Sequence, residues 1–136
     1  MSKTIFQKIV VAAVILYRNK ILLLQRSTEE RVFPNLWELP SGRRENLESS
    51  IQALKREVKE ETGLNIEIVH PINTFEYIIR KNKIIKDTTQ INFLVKVKGY
   101  CKVKVSNEHQ NFKWVQKKDL YKYKITKEIK DTILKL

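Results

Sequence analysis

Apolar residues run almost unbroken through the first part of the chain, in "IVVAAVILY" (9–17) and "ILLL" (21–24). The polar "RNK" separates the two runs. Long apolar runs joined by a short polar turn indicate two paired strands in the interior of a sheet. The longer run is too short to cross a bilayer as a helix, and no small-residue cleavage site follows it. We therefore interpret the segment as a hairpin.

Between residues 47 and 62 the apolar positions change to a spacing of three and four, and neither glycine nor proline interrupts the segment. This spacing predicts an amphipathic helix over about 47–62, with Asn46 as its N-cap and Gly63 as its C-terminal stop. Glu48 then lies in the first turn, where a carboxylate suits the positive end of the helix dipole. The predicted buried stripe consists of Leu47, Ile51, Leu54 and Val58.

Four strand-like runs follow the helix: "LNIEIVH", "TFEYIIR", "KIIKDTTQINFLVKVK" and "NFKWV". The polar "KNK" (81–83) is the expected hairpin turn, and alternation near 100–105 predicts a half-exposed strand. Before the helix, residues 26–36 are expected to form a loop and "WELPSG" (37–42) a short extended piece.

The tail "TKEIKDTILKL" predicts a second amphipathic helix, with Ile129, Ile133 and Leu136 facing inward. The element order β-β-β-α-β-β-β-α then predicts an α+β or α/β fold, in which helices pack on a mixed sheet. A chain of 136 residues with 42% hydrophobic content fits a single domain over residues 1–136.

Charge and cysteine content add little to the choice of function. The formal net charge is +12, and the residues from Lys96 onward include twelve lysines against four acids. Such an excess either attracts polyanions or forms a lysine-rich solvated surface, and charge alone does not choose between the two. The single cysteine, Cys101, excludes an internal disulfide and suits a reducing compartment, so we expect a soluble cytoplasmic protein.

Three carboxylates crowd one side of the predicted helix, because Glu57 lies three and four positions before Glu60 and Glu61. Like charges at this spacing repel, and this arc flanks the apolar stripe instead of opposing it. Two interpretations follow from the spacing. Either Arg56 and nearby lysines neutralise the acids as an ion network, or a hard divalent cation such as Mg²⁺ or Mn²⁺ binds them.

The surrounding sequence, "GRRENLESSIQALKREVKEETGL" (42–64), resembles the signature of the Nudix hydrolases at every fixed position. The segments "LLLQRS", "WELPSG" and "FKWVQKKDL" are similar to those of MutT-like members. The resemblance implies an α/β/α sandwich with a mixed sheet, the helix at about 47–62 as the catalytic helix, and a C-terminal helix. It also implies hydrolysis of a pyrophosphate bond in a nucleoside diphosphate linked to another group, with Mg²⁺ (or Mn²⁺) as cofactor.

The resemblance also implies roles for individual residues. The implied metal ligands are Glu57, Glu60, Glu61, Ser41 through its backbone carbonyl, and Glu108. The implied catalytic residues are Glu57, which orients or deprotonates the attacking water, Arg56, which braces the loop and helix, and Glu108. The implied structural residues of the motif are Gly42, Glu48 and Gly63.

Two of these positions carry alternatives, and the resemblance implies a role for one further residue, Arg26. Ser41 stands where MutT-like members have a second glycine, and a need for positive φ would disfavour serine. Glu108 is either a solvated loop glutamate or a site residue. Arg26 resembles the arginine that grips substrate phosphate, a task that suits a planar fork of donors.

Aromatic and histidine residues give a weaker signal. The aromatics that could stack on a base are Trp37, Phe75, Tyr77 and Trp114. Inward-facing aromatics in strands are more often part of a core. His70 and His109 have no ligand spacing, and of the two we expect His109 to border the pocket.

The resemblance ranks the substrates. A nucleoside triphosphate pyrophosphatase, giving a nucleoside monophosphate and pyrophosphate, comes first, and a nucleoside diphosphate sugar hydrolase comes second. Thr126 stands where enzymes for oxidised guanine nucleotides carry an asparagine, which argues against that substrate. An RNA 5′-pyrophosphohydrolase or an RNA-binding module is the rival, although the lysines lack the interleaved aromatics of a stacking platform. We expect no membrane partner and a monomer or homodimer.

Overall fold

The computed structural model describes residues 3–30 and 33–136, and its strands form one mixed sheet. In chain order the strands are β1 (Thr4–Tyr17), β2 (Lys20–Arg26), β3 (Trp37–Glu38), β4 (Ser41–Arg43), β5 (Ile66–Lys81), β6 (Ile84–Val97) and β7 (His109–Val115). The helices are α1 (Ser50–Thr62) and α2 (Lys127–Leu134), and a 3-10 helix spans Lys117–Lys122. Within the described residues, no helix is both long and apolar enough to span a membrane.

The predicted hairpin is confirmed. β1 and β2 pair antiparallel around a turn in which Arg18 and Asn19 have left-handed backbones, with φ of 50° and 64°. β1 also pairs in parallel with β6, so the sheet is mixed and runs in the order β3-β2-β1-β6-β5. β4 pairs with β1 and β7 with β2. The apolar runs thus occupy central strands, as their continuous hydrophobicity predicts.

Alternate residues of the central strands supply two core layers, one on each face of the sheet. Ala53, Leu54 and Val58 of α1 pack on one face, while Ile129 and Ile133 of α2 pack on the other. Leu136 packs beside α2, as predicted. Helices on both faces of a mixed sheet confirm the predicted sandwich. A single domain over residues 1–136 stays a prediction.

The first helix begins later than predicted. It starts at Ser50, and its N-cap is Ser49, whose side chain accepts a hydrogen bond from the Gln52 backbone N–H. The Gln52 side chain accepts in return from the Ser49 N–H. This reciprocal capping box fixes the start of the helix at Ser49, so Asn46 is not the cap. Gly63 ends the helix as predicted, with φ of 75° in the left-handed region.

Half of the predicted apolar stripe is also wrong. Leu47 lies outside the helix, fully exposed and with φ of 65°, and Ile51 is 46% exposed. Leu54 and Val58 are buried as predicted, and Ala53 takes the remaining position against the sheet. Because the helix begins at Ser50, Leu47 precedes it and cannot contribute to its buried face.

Two predictions about the later strands need correction. The first two runs form the single strand β5, whose pairing shifts near His70 and Pro71, where proline cannot donate to the ladder. Residues 100–105 are not a strand. The Lys104 N–H donates to the Thr62 carbonyl, so this segment packs against the end of α1 instead of joining the sheet. The alternation reflects partial burial of Cys101, Val103 and Val105 against the core.

Candidate active site

Gly42 provides the space that lets the end of β4 approach α1. A Cβ at this position would lie 2.0 Å from Cδ of Glu57 and 2.4 Å from its Cγ. The backbone of Gly42 is not in the left-handed region, so the requirement for glycine is one of space. The missing side chain allows the Glu57 carboxylate to lie directly across the strand.

Arg56 braces one half of the acidic cluster. Its Nε and Nη2 donate to the two carboxylate oxygens of Glu48, at 2.8 and 2.9 Å, and Nη2 also donates to the Arg43 carbonyl at 3.0 Å. Nη1 donates to Glu57 at 2.7 Å and lies 3.5 Å from Glu60. The two-point contact fixes the loop before the helix to the helix itself.

The pKa values of this half follow from that contact. Hydrogen bonds from Arg56, with help from the Glu45 backbone N–H, lower the pKa of Glu48 to about 2. Hydrogen bonds to Glu48 and Glu57 raise the pKa of Arg56. Here the ion-network interpretation is correct, because an internal cation neutralises these acids.

Glu61 has no such partner. It is 6% exposed and accepts a hydrogen bond from the Ser41 N–H at 2.9 Å, but none of the described lysines or arginines forms an ion pair with it. Burial raises the pKa of Glu61 to about 9, against the opposing effect of the Ser41 N–H. The charges of Glu38, Glu57 and Glu108 contribute to this rise as smaller causes.

Glu57 is both partly buried, like Glu61, and hydrogen-bonded to Arg56, like Glu48. Burial raises its pKa, the hydrogen bond from Arg56 opposes that shift, and the charges of Glu60 and Glu108 add to it. Glu108 is exposed in the turn before β7, and its carbonyl accepts from the Ser27 N–H at 3.0 Å. The fold thus brings Glu108, distant in sequence, to the carboxylates of the helix.

Sequence reasoning missed Glu38, which lies at the centre of a polar group beside Glu61. Oε2 of Glu38 lies 2.8 Å from Nε2 of His109, whose side chain is 1% exposed. The buried Nδ1 of His109 has no hydrogen-bond partner in the described part of the chain. Arg26 donates to Glu38 at 3.4 Å and to Glu30 at 3.2 Å. The available signal in the sequence was the position of Glu38, an acidic residue between Trp37 and the buried Leu39.

The aromatics divide between core and site. Trp37 packs edge-on against Tyr123, with centroids 5.1 Å apart, and Trp114 lies 5.6 Å from Tyr17. Both tryptophans extend the two cores. Tyr77 is different, because burial raises its pKa and the charge of Glu38 adds to the shift. Tyr77 therefore borders the acidic cluster. His70 is exposed, and its Nδ1 lies 2.8 Å from the Pro71 carbonyl.

A cavity of about 810 Å³ lies elsewhere, between the loop that precedes α1 and the outer ends of β1 and β6. Its lining includes Lys8, Arg43, Leu47 and Asp87 but none of Glu57, Glu60, Glu61 or Glu108. Burial lowers the pKa of Lys8, and the charges of Lys86 and Arg43 add to the shift. The cavity is thus adjacent to the motif loop but separate from the acidic cluster.

The model of the NUDIX domain matches residues 7–136 of this chain. The chain belongs to the Nudix family. It is 26% identical to the nucleoside triphosphatase NudI of Escherichia coli over 133 residues, which cover 93% of this chain and 94% of that protein. It is therefore a hydrolase that acts on pyrophosphate bonds, as the signature predicts.

Solved structures agree with this assignment. The MutT protein of Methanosarcina mazei has a TM-score of 0.79 and 28% identity, covering 98% of this chain and 94% of that one. An Ap4A hydrolase of Caenorhabditis elegans has a TM-score of 0.72 and 28% identity, covering 94% and 93%. Nudix hydrolases generally use divalent metal ions and act on small nucleotides.

The residues of this Nudix site fit such an ion by their donor chemistry, since carboxylates and carbonyls are the ligands that Mg²⁺ prefers. The carboxylates of the site are not arranged around a single point in this structure. Among residues 3–30 and 33–136, no three acidic, histidine or cysteine side chains lie together as a group that could hold an ion. Glu57 and Glu60 are turned toward Arg56 and would have to rotate to join Glu61. The backbone of Ser41 is outside the left-handed region, so serine is unstrained there.

Proposed function

We propose that this protein is a Mg²⁺-dependent nucleoside triphosphate pyrophosphatase, which releases a nucleoside monophosphate and pyrophosphate. The observation that carries the proposal is Glu61, a buried carboxylate with the charges of three further acids around it and no ion-pair partner of its own among the described residues. The name of the NudI relative and its coverage of nearly the whole chain support the choice of a triphosphate. The single free thiol, Cys101, is consistent with a cytoplasmic location.

Glu57, Glu60, Glu61, the Ser41 carbonyl and Glu108 would hold the metal. Bound Mg²⁺ would supply positive charge to the phosphate oxygens and lower the pKa of the attacking water. Glu57 orients that water and accepts its proton, since a carboxylate held within reach of the attacking water can act as a general base. As the water oxygen bonds to one phosphorus of the α–β anhydride, the P–O bond from that phosphorus to the bridging oxygen breaks, and the products are the nucleoside monophosphate and pyrophosphate. Arg26 contacts the phosphates from the end of β2.

Three other substrate classes remain as alternatives. The similar C. elegans protein is named an Ap4A hydrolase, and a nucleoside diphosphate sugar or the 5′ end of an RNA offers the same diphosphate to the site. Thr126 supports unmodified triphosphates over oxidised guanine nucleotides, because its hydroxyl already accepts from the Ile129 N–H as the cap of α2. It also lacks the paired donor and acceptor of an amide.

The test is a phosphate-release screen over the common nucleoside triphosphates, nucleoside diphosphate sugars, a dinucleoside tetraphosphate and a 5′-triphosphorylated RNA. Running it with and without added inorganic pyrophosphatase identifies pyrophosphate as the product. We expect triphosphates to give phosphate only with the coupling enzyme and only with Mg²⁺. Turnover of sugars, dinucleotides or RNA without turnover of any triphosphate would contradict the proposal. Glu57→Gln is the control for contaminating activity.

A further inference from the structure

β5 forms an uncovered edge of the sheet. It is the last strand in the order β3-β2-β1-β6-β5 and is sixteen residues long. Such an edge presents unpaired backbone N–H and C=O groups that can pair with another strand. The shifts in pairing near His70 and Pro71 disturb its first half. From Asn73 to Lys81 the strand continues in regular register with β6.

The far end of this edge carries exposed apolar side chains. Ile78 is 51% exposed, and Ile5, at 63%, lies two strands away on the same sheet face. Register places them there, because Ile5 pairs with Ile85 and Ile85 with Arg80, which shares a face with Ile78. Ile84 and Phe6 are exposed at the same end. This part of the sheet extends beyond the cover of both helices.

The exposed face of β5 is complementary to itself. If two copies pair antiparallel about a two-fold axis at Ile78, Glu76 of each copy lies opposite Arg80 of the other, and Ile78 lies opposite itself. If the axis lies one residue earlier, Glu76 lies opposite Ile78 of the other copy. If the axis lies one residue later, Glu76 lies opposite Asn82. Glu76 and Arg80 are exposed, and neither forms an ion pair with any residue in 3–30 or 33–136.

We propose that two copies of this chain associate through their β5 edges, in antiparallel register centred on Ile78, so that the sheet continues across the dimer. The interface is isologous, as in most two-fold homodimers. Cross-strand pairs of opposite charge stabilise it, and like charges in the same places destabilise it. The net charge of +12 per chain opposes association, so we expect a dissociation constant in the micromolar range at physiological salt.

Charge reversal tests the register. Sedimentation equilibrium across the micromolar range should show a monomer–dimer equilibrium for the native protein. Glu76→Arg and Arg80→Glu should each weaken it by about tenfold or more, since each replaces two attractive pairs with two repulsive ones. The double variant should restore association, because the pairs are re-formed with their signs exchanged. Asp131→Arg, on the exposed surface of α2, is the control matched in charge change to Glu76→Arg.

Three results would overturn the proposal: a native protein that stays monomeric throughout, single reversals that associate as well as the control, or a double variant that fails to recover. Amide hydrogen exchange gives a second measurement on the unmutated protein. Protection of residues 74–82 should rise with concentration, and unchanged protection would count against the interface. Turnover per subunit should be the same in all variants, because Glu76 and Arg80 lie outside the proposed site. Failure of the dimer therefore leaves the proposed function untouched.

Discussion

The acidic cluster has two halves, one around Arg56 and one around Glu61. The pKa of Glu48 in the first half and that of Glu61 in the second are shifted in opposite directions. Around Arg56 the carboxylates are paired, and the pKa of Glu48 falls to about 2. Glu61 itself has no ion-pair partner among the described residues, and its pKa rises to about 9. Both acids belong to one short motif. Internal pairing therefore holds the loop and helix together, while Glu61 is left without an ion-pair partner among the described residues.

The difference also explains why spacing alone could not choose between an ion network and a metal site, since the network accounts for Glu48, Glu57 and Glu60 but not for Glu61. A network that neutralised all the acids would leave no charge to attract an ion. A cluster without Arg56 would repel the loop from the helix.

The largest effect is expected from Glu57→Gln. Glu57 joins the two halves and is the proposed base, so turnover should fall by about 10²- to 10⁴-fold. The hydrogen bond to Arg56 can persist through the amide oxygen, and the melting temperature should change little. Steady-state kinetics with Mg²⁺ and the best substrate from the screen measure the effect. Glu67→Gln, on exposed β5, is the control, and equal turnover of the two variants would remove Glu57 from the mechanism.

Gly42→Ala should lower the activity of the protein with little effect on its stability. The new Cβ must displace the Glu57 side chain, which lies 2.0 Å away, so we expect turnover to fall by roughly tenfold to a hundredfold. Because the end of a flexible side chain can move, the melting temperature should fall only slightly. Kinetics and thermal melting on the same sample check both parts.

Gly63→Ala should have the opposite effect, a loss of stability with little loss of activity. Its backbone is left-handed with φ of 75°, so alanine should cost about 1–2 kcal/mol of unfolding free energy. A Cβ there meets nothing closer than 3.9 Å, and turnover per folded molecule should be retained. If Gly63→Ala lost more activity than Gly42→Ala, the assignment of space to one glycine and conformation to the other would be wrong.

Glu48→Gln tests the paired half through pH. The folded pKa of Glu48 lies below its ordinary value of 4.5, so its contribution to stability is complete above pH 4.5 and is lost as pH falls toward 2. Thermal melting between these pH values should show a shallower loss of stability for Glu48→Gln than for the native protein. An identical acid limb in both proteins would contradict the role assigned to Arg56.

The smallest effect is expected from Glu38→Gln. Removing one negative neighbour should lower the pKa of Glu61 by a fraction of its shift, because burial is the larger cause. The metal-free protein should then lose slightly less stability than the native protein as the pH rises toward 9. Thermal melting from neutral to alkaline pH checks this, and a loss of the whole alkaline limb would mean that Glu38, not burial, controls Glu61.

Local patterns predicted most of the fold. The hairpin, the end of the first helix at Gly63 and the inward face of α2 depend on residues close in sequence. The start of the first helix was missed, since Ser49 and Gln52 cap each other through side-chain contacts that compete with Asn46. Apolar spacing could not reveal that competition.

The site was predictable where the motif is contiguous and not where the chain must fold first. The motif identifies Arg56 and the three glutamates of the helix. The contact between Glu38 and His109 joins residues 71 positions apart, and neither lies within the motif. Likewise, only packing distinguishes buried Glu61 from exposed Glu60, although the two are adjacent.

The most direct test is the thermal stability of the native protein and Glu61→Gln from pH 5 to 9, with and without millimolar Mg²⁺ or Mn²⁺. The folded pKa of Glu61 lies above 4.5, so metal-free stability should fall as pH rises from 4.5 toward 9, and bound metal should reverse the fall. We expect the metal to raise the melting temperature of the native protein by several degrees at pH 8, less at pH 5, and little in Glu61→Gln. No metal-dependent shift, or an equal shift in the variant, would contradict the account.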